Sequence, residues 1–279
     1  MRDQYPFRIY GRPGVQRSSL VVGWREDAGN VGAKVVDYLS RKLGGREFGE
    51  IEPVEFFALG GVSVEDDVAE FPESRFLCCE GNELVLFDSN LPRFDWYRFL
   101  NAVLDVAEHY CHAQEVYTVG GMVTLSAHSA VRDLVTVANS PEMRRFLGEF
   151  PVVATMDFDT PRGQRPTLSS FLLWAAKRRN IRAASLWVPV PFYLAAHDDP
   201  RAWKKTIEFL DRRFGLEINL GDLDEEIEMQ DKRIAEGRRQ SALVDLYITK
   251  LEQHLTLTRE ESEQLVGEMR QLLAPRGQE

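Results

Sequence analysis

An apolar run, SSLVVGW at residues 18–24, meets an amphipathic helix across a loop holding Gly29, Asn30 and Gly32. In NVGAKVVDYLSRKL, residues 30–43, Val31, Val35, Val36, Leu39 and Leu43 recur near helical spacing, with Gly44 placed to end the helix. A buried strand feeding directly into such a helix constrains the fold strongly, because parallel strands can be joined only through crossovers of this kind. The pattern repeats along the chain. Residues 53–60 (PVEFFALG), 115–121 (EVYTVGG), 150–158 (FPVVATMDF) and 181–194 (IRAASLWVPVPFYL) read as strands. Helices begin at Asp95, at Ser140 followed by Pro141, at Thr167, and at Asp199 followed by Pro200. Gly148 and Gly215 close two of them. Residues 75–89 hold two apolar runs around Glu80, Gly81 and Asn82, which predicts a hairpin. Strands alternating with helices define an α/β fold with a largely parallel sheet and one antiparallel addition.

From Asp222 the texture changes. Asp222 with Glu225, and Thr258 with Glu261, match the capping-box spacing. Between them Ile227, Ile234, Leu243, Leu246, Leu251 and Leu255 form an intermittent stripe; Leu265, Val266, Met269, Leu272 and Leu273 form a compact one. The expectation is an α/β domain over residues 1–221 and a helical appendage over 222–279. The appendage must bury its stripe against its own sheet domain or a neighbouring subunit.

Net charge is −10, so the chain as a whole repels nucleic acid and anionic membranes. No stretch approaches a membrane span. Three cysteines, Cys78, Cys79 and Cys111, make no disulfide framework or CxxC zinc pattern, and the N-terminal residues lack the apolar region of a secretory signal. The expectation is a soluble cytoplasmic protein.

Candidate chemistry is sparse. The loop at Gly29, Asn30 and Gly32 lacks the GxxxxGK[ST] and GxGxxG patterns that hold nucleotides, and Glu26 and Asp27 make it acidic. A helix N-terminus still favours a small anion, so these three residues are candidates for ligand binding beside a packing role. Gly120 and Gly121 are read as the end of a strand, on the side of an open α/β sheet where ligands bind, with His128 just beyond. Ser126 and Ser129 flank His128, yet no G-x-S-x-G elbow occurs, and no catalytic residue is assigned. His109 and His112, and His197 beside two aspartates, lack a metal signature; no metal or cofactor is expected.

The order of these segments carries a resemblance. LVVGWREDAGNVGAKVVDYL, EVYTVGG followed by an Ala-His-Ser stretch, IRAASLWVPVPFY, DDPRAWKKTIEFL and GLEINLGDLDEEIE together resemble the proteasome assembly chaperone 2 family in its archaeal and bacterial branch. The resemblance spans residues 18–235. It implies a three-layer α/β domain of the phosphorylase/hydrolase-like type and a homo-oligomer. It also implies proteasome α subunits as partners and a role carried by protein–protein contacts without catalysis. Some archaeal relatives dock through a C-terminal hydrophobic-Tyr-any motif, from which Arg276, Gly277, Gln278 and Glu279 differ. The alternative is a small-molecule-binding or hydrolytic α/β protein with its pocket at Gly29, Asn30, Gly32, Gly120, Gly121 and His128. The basic turn with Arg162 and Arg165 before Thr167 is a candidate contact loop beside its reading as ordinary loop composition.

Overall fold

The computed structural model describes residues 6–57, 63–65, 68–153, 159–160 and 162–273. Ten strands are present among them: β1 (Phe7–Ile9), β2 (Ser18–Trp24), β3 (Arg46–Ile51), β4 (Ser63–Glu65), β5 (Val68–Glu70), β6 (Ser74–Cys79), β7 (Leu84–Ser89), β8 (Ala113–Thr124), β9 (Val135–Ala138) and β10 (Arg182–Pro191). The helices are α1 (Val31–Leu43), α2 (Trp96–His109), α3 (Pro141–Leu147), α4 (Leu168–Arg178), α5 (Pro200–Phe214), α6 (Gly221–Gln240), α7 (Ala242–Glu252) and α8 (Arg259–Leu273). Eight strands form one mixed sheet in the order β1-β3-β6-β7-β2-β8-β10-β9, and β4 pairs with β5 apart from it. At the centre β2 runs parallel to both β7 and β8; β6 is antiparallel to β7 and to β3. The fold is α/β, as the alternation of elements requires.

The chain divides into two compact units. The first comprises residues 1–26, 32–120 and 135–186. In it β2 sends its chain through α1 to β3, and β7 sends its chain through α2 to β8 in the opposite direction along the sheet. Right-handed crossovers in opposite directions place α1 and α2 on opposite faces. Strand β2 shows the consequence residue by residue. Leu20, Val22 and Trp24 enter a buried cluster with Phe99, Leu100 and Val103 of α2 and Leu172 and Leu173 of α4. Gly23, on the other face, meets α1. A Cβ there would lie 2.2 Å from the carbonyl oxygen of Gly32, and one on Gly32 would lie 2.5 Å from that of Trp24. The two glycines let strand and helix backbones touch. The Trp24 indole N–H donates to Ser169 Oγ of α4 at 3.0 Å, pinning the other face.

Local signals set most helix starts. Asp95, Ser140, Thr167 and Asp199 each accept a backbone N–H three residues on, and Gly215 ends α5 at φ +62°. The hairpin of β6 and β7 turns through Glu80–Asn82. Three readings need correction. Residues 53–57 are not a strand: Pro53–Glu55 is a 3-10 turn, Pro53 having no N–H to give a ladder, and residues 58–60 lie outside the described residues. The strand in this region is β3, whose pattern Arg-Glu-Phe-Gly-Glu-Ile alternates poorly because a bulge falls between Glu47 and Gly49. Strand β8 does not end at its glycine pair but continues to Thr124. The expected strand at 150–158 contributes the parallel bridge of Val153 to Val135, and residues 154–158 lie outside the described residues.

The second unit comprises residues 27–31, 121–134 and 187–279. Its helices pack on one another. Val244, Tyr247, Ile248 and Leu251 form the buried face of α7, so Leu243, Leu246 and Leu255 of the expected stripe are exposed. Helix α8 buries Leu265, Met269 and Leu273, and Leu272 lies against Gly237 of α6. Thr258 and Glu261 form the full reciprocal capping box. Asp222 does not cap α6. The helix starts one residue earlier, where Asn219 Oδ1 accepts the Gly221 N–H.

Candidate functional site

Residues 125–131 follow β8 and face residues 251–256, at and beyond the end of α7, across a groove of about 660 Å³, all within the second unit. Two buried polar contacts hold the first of these loops. At one end the His128 backbone N–H donates to the Tyr193 hydroxyl oxygen at 2.6 Å, and His128 Nδ1 lies 2.9 Å from the same oxygen. The Tyr193 hydroxyl therefore ties the backbone and the ring of His128 to one oxygen. Burial pushes the basicity of His128 below its ordinary value and raises the Tyr193 hydroxyl above its own. The flanking serines have other partners: Ser126 Oγ pairs with Thr124 Oγ1, and Ser129 Oγ donates to Glu252 Oε1.

At the other end Arg132 Nη1 donates to the Pro189 carbonyl at 2.6 Å and to Asp199 Oδ2 at 2.7 Å. Both side chains are buried, and the other oxygen of Asp199 accepts the Ala202 N–H that starts α5. An ion pair this deep is held by geometry, since either charge alone would be poorly solvated. Arg238 frames the far side of the groove, donating to Asp245, Thr249 and Glu252. Val131, between these two contacts, and Leu125, ahead of them, turn aliphatic side chains to solvent. Val131 is 86% exposed and Leu125 69%, with Leu255 exposed across the groove. A rigid loop that displays aliphatic side chains is what a protein-binding surface needs, because its ordering cost is met during folding.

The residues named from the sequence are distributed as follows. Gly29 adopts φ +71°, its N–H donates to Ala195, and its carbonyl accepts the Trp203 indole N–H at 2.8 Å. The Asn30 amide donates to Asp198 Oδ1 at 2.7 Å. Asp27 Oδ2 accepts the Gly121 N–H at 2.7 Å, and a Cβ on Gly121 would lie 1.9 Å from the Ala28 carbonyl oxygen. Gly29, Asn30, Gly121 and His128 thus belong to the second unit, whereas Gly32 and Gly120 belong to the first. The three thiols are buried, and burial raises Cys79 and Cys111 to about 12. No described helix is long and apolar enough to cross a membrane. Sequence reasoning missed Leu125, Val131 and Leu255 as surface residues. Their signal is an aliphatic side chain in a loop, which becomes meaningful only once the structure shows it exposed.

An α/β protein with a preformed apolar groove and a glycine-tight strand–helix junction is the class that fold and site define. The PAC2 family model matches residues 20–237, and the chain belongs to that family. Its fold is similar to that of a Mycobacterium tuberculosis protein of unknown function, at 18% identity and TM-score 0.75, covering 91% of this chain and 90% of that one. It is also similar to Pyrococcus furiosus PbaB, described as an archaeal proteasome activator (17% identity, TM-score 0.67, 82% and 97% covered). A third similar structure is a Mycobacterium tuberculosis proteasome-assembly chaperone homologue, at 20% identity and TM-score 0.67, with 82% and 99% covered. Among curated proteins none matches.

Proposed function

We propose that this chain is a cytoplasmic proteasome-assembly-chaperone-like protein that acts through protein–protein contacts, with proteasome α subunits as partners and a homo-oligomer as its working form. Membership of the PAC2 family supports the general role. The observation that carries the contact reading is the loop at 125–131, fixed by His128 with Tyr193 and by Arg132 with Asp199, yet exposing Leu125 and Val131. The segment after residue 221 completes the groove through Leu251 of α7 and Leu255 of the following loop and provides the surface from which subunit contacts are built. The alternative, a small ligand held by Gly29, Asn30, Gly32, Gly120, Gly121 and His128, has less behind it: the N–H groups of Gly29 and Gly121 and the Asn30 amide already donate within the protein. The test mixes the purified chain with α-type subunits encoded by the same genome and follows co-elution and the rate of ring formation. Co-elution with faster ring formation is expected. A chain that neither co-elutes nor changes the rate overturns the proposal.

A further inference from the structure

The α4 region inverts the charge of the chain. Residues 162–182 hold six cations and no Asp or Glu, in a protein of net charge −10. Arg179 donates to Asp105 and Asn101, and Arg182 pairs with Glu115. Arg162, Arg165, Lys177 and Arg178 are exposed and make no ion pair among the described residues. Along the helix that ends in Lys177 and Arg178, α4 and the neighbouring α2 turn aromatic side chains outward. Phe171 and Trp174 stack with centroids 5.2 Å apart and planes 19° apart, and Tyr97 of α2 lies 6.0 Å from Trp174. The Arg178 guanidinium sits 5.2 Å from the Trp174 ring centre. Phe171, Trp174 and Arg178 recur at helical spacing on one stripe of α4, while Leu172, Leu173, Ala175 and Ala176 bury the other. Core packing therefore does not account for Trp174, which is 43% exposed.

Tryptophan, tyrosine and arginine are the residues that dominate binding energy at protein interfaces. We infer that this face docks an acidic segment of a partner protein, which sets an apolar side chain against Trp174 and carboxylates against Lys177 and Arg178. The occupant follows from charge: Lys177 and Arg178, exposed in the last turn of α4 and without an ion pair among the described residues, complement an acidic segment. A nucleic-acid strand fits less well, because its charge at every nucleotide meets more long-range repulsion from a chain of net charge −10 than a short acidic segment interrupted by apolar residues does. This surface lies wholly in the first unit and shares no residue with the groove, which lies in the second.

The test uses fluorescence anisotropy with the full chain and three labelled probes: a peptide of alternating Glu and Leu pairs, the same peptide with Gln for Glu, and a uridine oligonucleotide. The acidic peptide binds best, and its affinity falls as NaCl rises from about 50 to about 300 mM. Trp174→Ala weakens it about 30-fold and Arg178→Glu about 10-fold. Leu125→Asp, in the groove, leaves it unchanged, which separates this result from the fate of the groove. Thermal melts of Trp174→Ala and Arg178→Glu confirm that both remain folded, as expected for exposed side chains. Equal binding of the Gln peptide, tighter binding of the oligonucleotide, or no response to either substitution overturns the inference.

Discussion

Replacing Gly121 with Ala would put a methyl carbon 1.9 Å from the carbonyl oxygen of Ala28, 2.8 Å from its carbonyl carbon and 3.0 Å from Val190 Cγ2. The nearest obstacle is backbone, so no side-chain rotation relieves it. Overpacking of this kind costs about 1–3 kcal/mol. Moving Ala28 also disturbs the neighbouring carboxylate of Asp27, whose 2.7 Å bond from the Gly121 N–H is charge-assisted. Losing such a bond costs about 1.5–3 kcal/mol. The sum, about 2.5–6 kcal/mol, is a large part of the stability of a folded protein and lowers the midpoint of thermal unfolding by about 5–20 °C. Gly267 supplies the control. It lies in the exposed interior of α8, and a Cβ there meets nothing within 4 Å. Gly267→Ala should therefore stabilise by about 0.5–1 kcal/mol. Urea titrations of both variants against the parent, read by circular dichroism, compare the two signs directly. A Gly121→Ala protein within about 1 kcal/mol of the parent refutes the account of this junction.

Arg132→Leu leaves the fully buried Asp199 carboxylate unpaired and should cost about 3–5 kcal/mol by urea titration; a loss under about 1 kcal/mol contradicts the pairing. Stability should also fall as pH drops from 7.5 to 5.5. Burial holds the folded-state basicity of His128 and His197 below the ordinary value, so below that value the unfolded chain binds more protons. Denaturant midpoints across this window should rise with pH, and His128→Gln should reduce the slope; an unchanged slope removes His128 from the explanation. In the native state Cys78, Cys79 and Cys111 should react with a thiol reagent only at the rate of unfolding, since burial keeps each protonated at neutral pH. Rapid labelling of any of them without unfolding contradicts their burial.

Much of the fold was legible because its signals are local. Asp95, Ser140, Thr167 and Asp199 cap helices by reaching N–H groups three residues away, and a sequence shows that spacing directly. Asp222 with Glu225 has the same spacing and fails, because Asn219 satisfies the Gly221 N–H and moves the start of α6 back. Phe56 and Phe57 read as strand residues, yet they are buried after a 3-10 turn that Pro53 opens. Strand β3 was hidden by Glu47, Gly49 and Glu50, whose pairing partners in β1 and β6 no local pattern displays. In α7 the buried face is set by contacts with α6 and α8, which choose Val244 and Ile248 over Leu243 and Leu246. The groove was least legible. It joins residues 124–131 to 251–256, and the bonds that fix it reach from His128 to Tyr193 and from Arg132 to Asp199.

The central claim is that the pinned groove, with Leu125 and Leu255 on its rim, is where a partner protein binds. Its most direct test is co-elution of α-type subunits with the parent chain and with a Leu125→Asp, Leu255→Asp double variant. Both side chains are exposed, so the variant should melt at the parent's temperature. The account predicts that the parent co-elutes and the folded variant does not. Equal co-elution of the two, or none by the parent, contradicts it.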